Sequence, residues 1–314
     1  MQYIQELREG DNVNEIYLCR VKHSLLTKAG KSYDSLTLQD RTGTIDAKIW
    51  DPGSPGIEDF DELDYVDVTG NVTSFQGHLQ LNVRRARRCR AGEYDPAQYL
   101  PVSKRNNDEM FAELLALIDS VGQAQLHGLL NAFFRGDAAF AKAFRASSAA
   151  KAVHHSFVGG LLEHTLGVAK LCDYLAGAYP ILNRDLLLSA AMLHDIGKTR
   201  ELSLFPQNDY TEDGQLVGHI VIGVEMIDKK LEEIPDFPKL LAAELRHCIL
   251  AHHGEYEFGS PKKPALIEAA ALNFADNTDA KLEIFKEMLE APAGDSEWLG
   301  FQRLLDSNVR RTGI

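Results

Sequence analysis

The stretch Ala190-Ala191-Met192-Leu193-His194-Asp195-Ile196-Gly197-Lys198 decides how the chain reads. An apolar helix runs into an adjacent His-Asp pair, and a glycine then stops it. Neighbouring helical residues point about 100° apart, so both side chains reach one point beside the helix without filling the same spot. An imidazole nitrogen and a carboxylate oxygen held this way share a metal ion, and the second carboxylate oxygen stays free for a neighbouring ion. One such pair arises by chance in a chain of 314 residues. The other histidines carry the reading.

His164 falls on the helix face of Leu161, Val168 and Leu171, and His219 on that of Ile222 and Met226. His252 shares a face with Leu245, Cys248 and Ile249, and Asp276 with Ala269 and Leu272. Metal-competent side chains therefore project into an apolar core beside His194 and Asp195. Buried ionisable groups are costly unless paired or metal-bound. A lone core histidine usually has a hydrogen-bond partner; four histidines with two aspartates point to a metal site.

Helical periodicity surrounds them. It runs over Asp108–Ser120, Gln123–Phe134, Asp137–Phe144, Leu161–Ala176, Arg184–Ile196, Leu216–Leu231, Lys239–Ala251, Ala265–Leu289 and Glu297–Val309. Thr199–Gln215 lacks it and reads as a loop that passes the metal site, with Tyr210 placed to stack on a base. Lys198, just past the helix end, is placed to reach a phosphate oxygen or to compensate the helix dipole. His155 is a candidate for the site entrance, and Asp279, one turn after Asp276, for orienting a ligand histidine.

Before residue 92 the pattern has period two. Strands are expected around Ile16–Val21, Tyr33–Leu38, Thr44–Trp50 and Tyr65–Gly70, with a final hairpin across Gln76-Gly77. Five strands with an insertion after the third is the order of an OB-fold barrel, an architecture that often binds single strands. Stacking aromatics and cations serve that purpose, which singles out Tyr33, Trp50, Phe75 and Arg84. Phe75 has the alternative role of hairpin packing, and Trp50 that of a barrel cap. The expected organisation is an all-β OB-fold domain over 1–92, a linker over 93–107 containing Pro96 and Pro101, and an all-α domain over 108–314.

Composition is that of a soluble globular protein, with 45% hydrophobic and 25% charged residues. No apolar run is long enough to span a membrane, and the N-terminus lacks a signal-peptide core. Four scattered cysteines without a CxxC argue against a disulfide framework and for a reducing cytoplasm. The net charge of −13 does not exclude nucleic acid, because a long-range field says little about one local groove.

The order His164, His194-Asp195, His219, His252-His253, Asp276 resembles the HD-domain metal-dependent phosphohydrolases, in the variant that binds two metal ions. The resemblance implies one ion among His164, His194, Asp195 and Asp276, and a second held by His219 and His252 with Asp195 as the bridge. It leaves His253 as a ligand or a proton-transfer group. Phe157-Val158-Gly159-Gly160-Leu161-Leu162-Glu163-His164-Thr165, Gly218-His219-Ile220 and Ala251-His252-His253-Gly254, behind an OB-fold, are similar to the YhaM-type 3′–5′ exoribonucleases. That similarity implies hydrolysis of single-stranded RNA to nucleoside 5′-monophosphates; single-stranded DNA stands as an open alternative substrate. Asp195, Lys198 and His253 are the residues expected to carry catalysis, and the similarity implies manganese as the usual ion. Histidine and carboxylate donors also suit iron, cobalt, nickel and zinc. Two other readings stand beside it: an HD phosphohydrolase acting on a small nucleotide with a regulatory barrel, and a non-catalytic nucleic-acid-binding protein with a structural metal.

Overall fold

Alternating apolar residues bury one face of each N-terminal strand, and in the computed structural model those faces close into a barrel. The structure describes residues 2–151, 155–290 and 297–313. The chain divides into two compact units, Met1–Val102 and Ser103–Ile314.

In the first unit β1 (Asn12–Leu26), β2 (Ser32–Asp40), β3 (Gly43–Ile49), β4 (Tyr65–Phe75) and β5 (His78–Arg88) close in the order β1-β2-β3-β5-β4. A parallel pairing sets Ala47 of β3 opposite Leu81 of β5, and β1 returns onto β4 with Tyr17 opposite Val66. This is the OB topology that the sequence led us to expect. Tyr17, Leu36, Leu38, Ile49 and Leu81 fill the interior. The insertion between β3 and β4 sends Phe60 into that core, with the Lys22 ammonium 4.2 Å from its ring centroid. Trp50 stays outside, 48% exposed. In the stretch expected as a linker, Pro96–Gln98 forms a 3-10 turn, Tyr94 stacks on Tyr65 at 3.8 Å, and Tyr99 is buried.

The β4–β5 register shifts between Thr69 and Gly70, leaving Arg84 of β5 as the extra residue, and the two strands approach closely there. A Cβ at Gly70 would stand 2.3 Å from the Asn82 carbonyl oxygen. Because that obstacle is backbone, Gly70→Ala is expected to cost about 1–3 kcal/mol of stability. Urea unfolding of the purified variant measures it, and the metal-binding stoichiometry should not change.

The second unit contains α1 (Asn107–Asp119), α2 (Ala124–Phe134), α3 (Ala138–Ala146), α4 (Gly160–Ala178), α5 (Arg184–Leu193), α6 (Lys198–Glu201), α7 (Glu212–Leu216), α8 (His219–Leu231), α9 (Lys239–Ala251) and α10 (Ile267–Glu290). Side chains of Asn106, Gln123, Asp137 and Asn183 accept from first-turn N–H groups and fix the starts of α1, α2, α3 and α5. In α5 every residue from Leu186 to Leu193 is buried, as expected of a helix that is apolar all round. It packs among α4, α9 and α10, whose Leu161, Leu245, Cys248 and Leu272 join the same core.

Three local expectations need correction. The helix expected from Leu216 breaks at Gly218, whose φ of +79° is left-handed, so His219 becomes the first residue of α8. Thr199–Gln215 holds α6 and α7, tied by an antiparallel bridge between Leu202 and Tyr210. Glu297–Val309 is not a helix but a hairpin of β6 (Trp298–Gln302) and β7 (Ser307–Arg310). Gly300 and Asp306 both take positive φ, which a right-handed helix cannot accommodate. Among the described residues no helix is long and apolar enough to cross a membrane, and all four cysteines are free and buried.

Candidate metal centre

Five helices of the second unit converge on one buried point. α4 supplies His164, the end of α5 supplies His194 and Asp195, and α8 opens on His219; the end of α9 supplies His252 and His253, and α10 supplies Asp276 and Asp279. Close approach of these elements depends on glycine. A Cβ at Gly197 would lie 2.0 Å from the His219 carbonyl oxygen, and one at Gly167 would lie 2.2 Å from Asp279 Oδ1.

His164 Nε2 lies 3.3 Å from His194 Nε2 and 3.2 Å from Asp276 Oδ1. Asp195 Oδ2 faces this trio, 3.3 Å from His194 Nε2 and 3.5 Å from His164 Nε2. The other oxygen, Oδ1, faces away from it, 3.5 Å from His219 Nε2 and 3.7 Å from His252 Nε2. Donor atoms of His219, His252 and His253 lie within 4.8 Å of one another, as do those of His164, His194 and Asp276. Asp195 thus stands between two trios with one oxygen turned to each.

The polar atoms fit a metal better than they fit each other. Asp195 Oδ1, His219 Nε2 and His252 Nε2 are buried and make no hydrogen bond among the described residues. Such atoms are rare in folded proteins and costly; a cation between them satisfies all three at once.

The far side of each imidazole sets which nitrogen faces inward. His194 Nδ1 lies 2.7 Å from the Ala191 carbonyl, His252 Nδ1 2.7 Å from that of Ile249, and His253 Nδ1 2.8 Å from that of Phe258. A carbonyl only accepts, so Nδ1 donates and Nε2 keeps its lone pair for the centre. The remaining two rings are backed by carboxylates. Asp279 Oδ2 lies 2.8 Å from His164 Nδ1, and Glu201 Oε1 lies 2.9 Å from both the backbone nitrogen and Nδ1 of His219. Each trio therefore has one imidazole held in orientation by an acidic partner. His155, which the sequence reading placed at the entrance, is buried, and its Nε2 lies 3.1 Å from Asp279.

Charge follows this arrangement. Burial opposes ionisation of Asp195, but Lys198 and His194 outweigh it and hold the carboxyl well below its ordinary range. Burial likewise opposes ionisation of Asp279, yet His155 and His164 keep it at about 2. For His164 burial favours the neutral ring, and hydrogen bonds to Asp276 and Asp279 override it, lifting the group to about 10. Burial together with His253 and His194 pushes His252 far down. Lys198 Nζ lies 2.6 Å from Asp195 Oδ2, and that contact raises the ammonium's pKa against its burial.

Truncating the backing carboxylates should loosen the trios separately. Asp279→Ala is expected to weaken one divalent ion, and Glu201→Ala the other, each by about 10–100-fold. Calorimetric titration of manganese into metal-free protein would show one of two binding steps shifted in each variant.

The sequence-predicted nucleic-acid residues are spread over both units. Tyr33 of β2 stacks on Trp50 at 5.2 Å, and the Trp50 indole donates to Asn82 Oδ1. Phe75 stands 60% exposed opposite His78 at the β4–β5 turn, and Arg84 reaches Asn71 Oδ1 from β5. Tyr210 belongs to the second unit, beside Lys151. Sequence reasoning missed Glu201, which in Lys-Thr-Arg-Glu reads as a solvated charge.

Residues 161–281 match the family model of the HD domain, which places the helical unit in that class. The chain is 33% identical over 288 residues to the 3′–5′ exoribonuclease YhaM of Listeria innocua, covering 90% of this chain and 89% of that one. It is also 33% identical over 283 residues to that of Bacillus subtilis, covering 90% and 88%. The chain belongs to the YhaM family of 3′–5′ exoribonucleases. Among solved structures it is similar to the second OB-fold domain of replication protein A from Methanococcus maripaludis, with 21% identity, a TM-score of 0.23, and coverage of 29% of this chain and 94% of that one.

Proposed function

We propose that this protein hydrolyses single-stranded RNA from its 3′ end, releasing nucleoside 5′-monophosphates at a centre for two divalent ions. The observation that carries the reading is Asp195, whose two oxygens face separate donor trios. In this reading His164, His194, Asp195 and Asp276 hold one ion, and Asp195, His219 and His252 hold the second, with His253 completing its trio. When bound, such a pair supplies a water of lowered pKa and neutralises charge on the scissile phosphate. Imidazole and carboxylate donors favour manganese, iron, cobalt, nickel or zinc over magnesium, and manganese is the ion we propose.

The protein's own residues do the rest. Lys198 keeps its proton and offers a cation to a non-bridging phosphate oxygen beside Asp195. Asp279 and Glu201 hold His164 and His219 with their second nitrogens turned inward. In the barrel, Tyr33 and Trp50 form an aromatic stack on the outer side of β2 and the end of β3, the surface that OB-folds use for oligonucleotides; Phe75 and Arg84 extend the proposed contacts. Tyr210 is proposed as a stacking contact in the helical unit. Single-stranded DNA is proposed as a weaker substrate.

The test is a time course on 5′-labelled single-stranded RNA with manganese. A ladder that shortens from the labelled strand's 3′ end, with nucleoside 5′-monophosphates as products, is expected. An intact oligonucleotide alongside hydrolysis of a small nucleotide would replace this reading with that of a small-nucleotide phosphohydrolase.

A further inference from the structure

The loop that follows α9 exposes two aromatic rings immediately after His252-His253. Tyr256 and Phe258 are each 63% exposed, so neither contributes much to the core. Yet the loop that carries them is held at several points. Gly254 takes a φ of +78°, and a Cβ there would lie 2.7 Å from Asn273 Nδ2, which itself donates to the His252 carbonyl at 2.6 Å. Ser260 is buried and its hydroxyl reaches the carbonyls of Leu250 and Lys262 at 3.0 and 2.6 Å. Glu255 N–H donates to the His253 carbonyl at 2.9 Å. Ordered backbone presenting exposed rings is unlike a loop that merely connects two helices.

The loop is also joined to the metal centre itself. His253 Nδ1 lies 2.8 Å from the Phe258 carbonyl, while the same imidazole groups with His219 and His252. One aromatic residue is therefore a single hydrogen bond behind a ring of the second trio. Lys263 Nζ stands 5.5 Å from the Tyr256 ring centroid and pairs with Glu255, which offsets that carboxylate's charge. Exposed aromatic residues on a loop tied to the proposed phosphodiester-cleaving centre have the chemistry of base stacking. Stacking accepts any base, because each has a π-face.

We infer that Tyr256 and Phe258 form a platform on which the 3′-terminal bases of single-stranded RNA stack while the terminal phosphodiester lies at the metal centre. The inference rests on the exoribonuclease reading and adds to it how the end of the strand is held. The platform gives no sequence preference and requires an unpaired 3′ end, since a base within a duplex has both faces covered.

The full-length protein tests this with single-stranded RNA carrying 2-aminopurine at its 3′ terminus, whose fluorescence falls when the base stacks on an aromatic ring. Binding is read in the manganese-loaded chain with Asp195 intact, on RNA whose terminal linkage is a non-hydrolysable phosphodiester analogue, and KM is read on cleavable RNA. We expect terminal quenching with Tyr256 and Phe258 intact, and its loss in Tyr256→Ala/Phe258→Ala. That variant should raise KM about ten- to hundredfold, with manganese content retained; Tyr256→Phe should keep both quenching and KM. If the loop of the double variant misfolds and manganese is lost, Tyr256→Leu, which leaves Phe258 and its carbonyl contact with His253 in place, replaces it. RNA shortening with unchanged quenching and KM in a manganese-loaded double variant overturns the inference alone. The same result with a changed sedimentation mass overturns it in favour of a contact between copies of this chain. Neither shortening nor quenching by the unmodified platform overturns the exoribonuclease reading as well.

Discussion

Asp195→Ala is expected to abolish RNA hydrolysis, by about a thousandfold or more, and to remove both metal ions rather than one. The argument lies in the division of the carboxylate. Oδ2 faces His164 and His194, and Oδ1 faces His219 and His252. No other carboxylate among the described residues stands between the trios, so neither set of imidazoles keeps its shared anionic donor in the variant. Lys198 loses its 2.6 Å partner as well, leaving a half-buried ammonium beside the imidazoles that would have to accept an incoming cation. Thermal unfolding separates this from simple misfolding. A ligand at a hundred times its dissociation constant stabilises a protein by about 2.7 kcal/mol, so manganese should raise the melting temperature of the wild type. The variant should melt at one temperature with or without manganese. A variant that is still stabilised by manganese would show that Asp195 is not the shared donor.

The contrast between Asp195 and Glu201 shows which parts of the site were legible in the sequence. His-Asp after an apolar helix announces itself, because polar residues at the end of a buried face need a reason. His164, His219, His252 and Asp276 are visible for the same cause: each breaks an apolar stripe. Glu201 breaks nothing. It sits in a one-turn helix of charged and polar residues, and its role appears only when Gly218 turns the chain so that His219 meets it across 18 residues. The barrel was legible through alternation, whereas Phe60 was not, since it arrives from an insertion without periodicity. Apolar spacing in Glu297–Val309 misled because Leu299, Phe301 and Leu304 suit a helix and a hairpin alike. There the decision belongs to backbone conformation at Gly300 and Asp306.

Tyr33→Ala/Trp50→Ala is expected to raise KM for a long single-stranded RNA by about 25-fold or more, while kcat at saturation and the rate on a dinucleotide stay near wild type. Base–aromatic stacking contributes about 1–3 kcal/mol per base, and even at its lower end two rings together reach that factor. The rings are well placed for it. Their planes lie 27° apart, Trp50 keeps nearly half its surface exposed, and the indole N–H is fixed on Asn82, whose own amide donates to Thr73. A row of side chains from β3 through β5 to β4 thus orients the outer ring before any base arrives, which lowers the ordering cost of binding. Loss of these exposed rings should change stability by less than about 1 kcal/mol; an effect on KM without one on melting would therefore be an effect on binding. Dependence on RNA length is the discriminating readout. A dinucleotide occupying only the metal centre has no base to offer the barrel, so a variant equally impaired on both substrates would show that the two aromatics act on the fold and not on the strand.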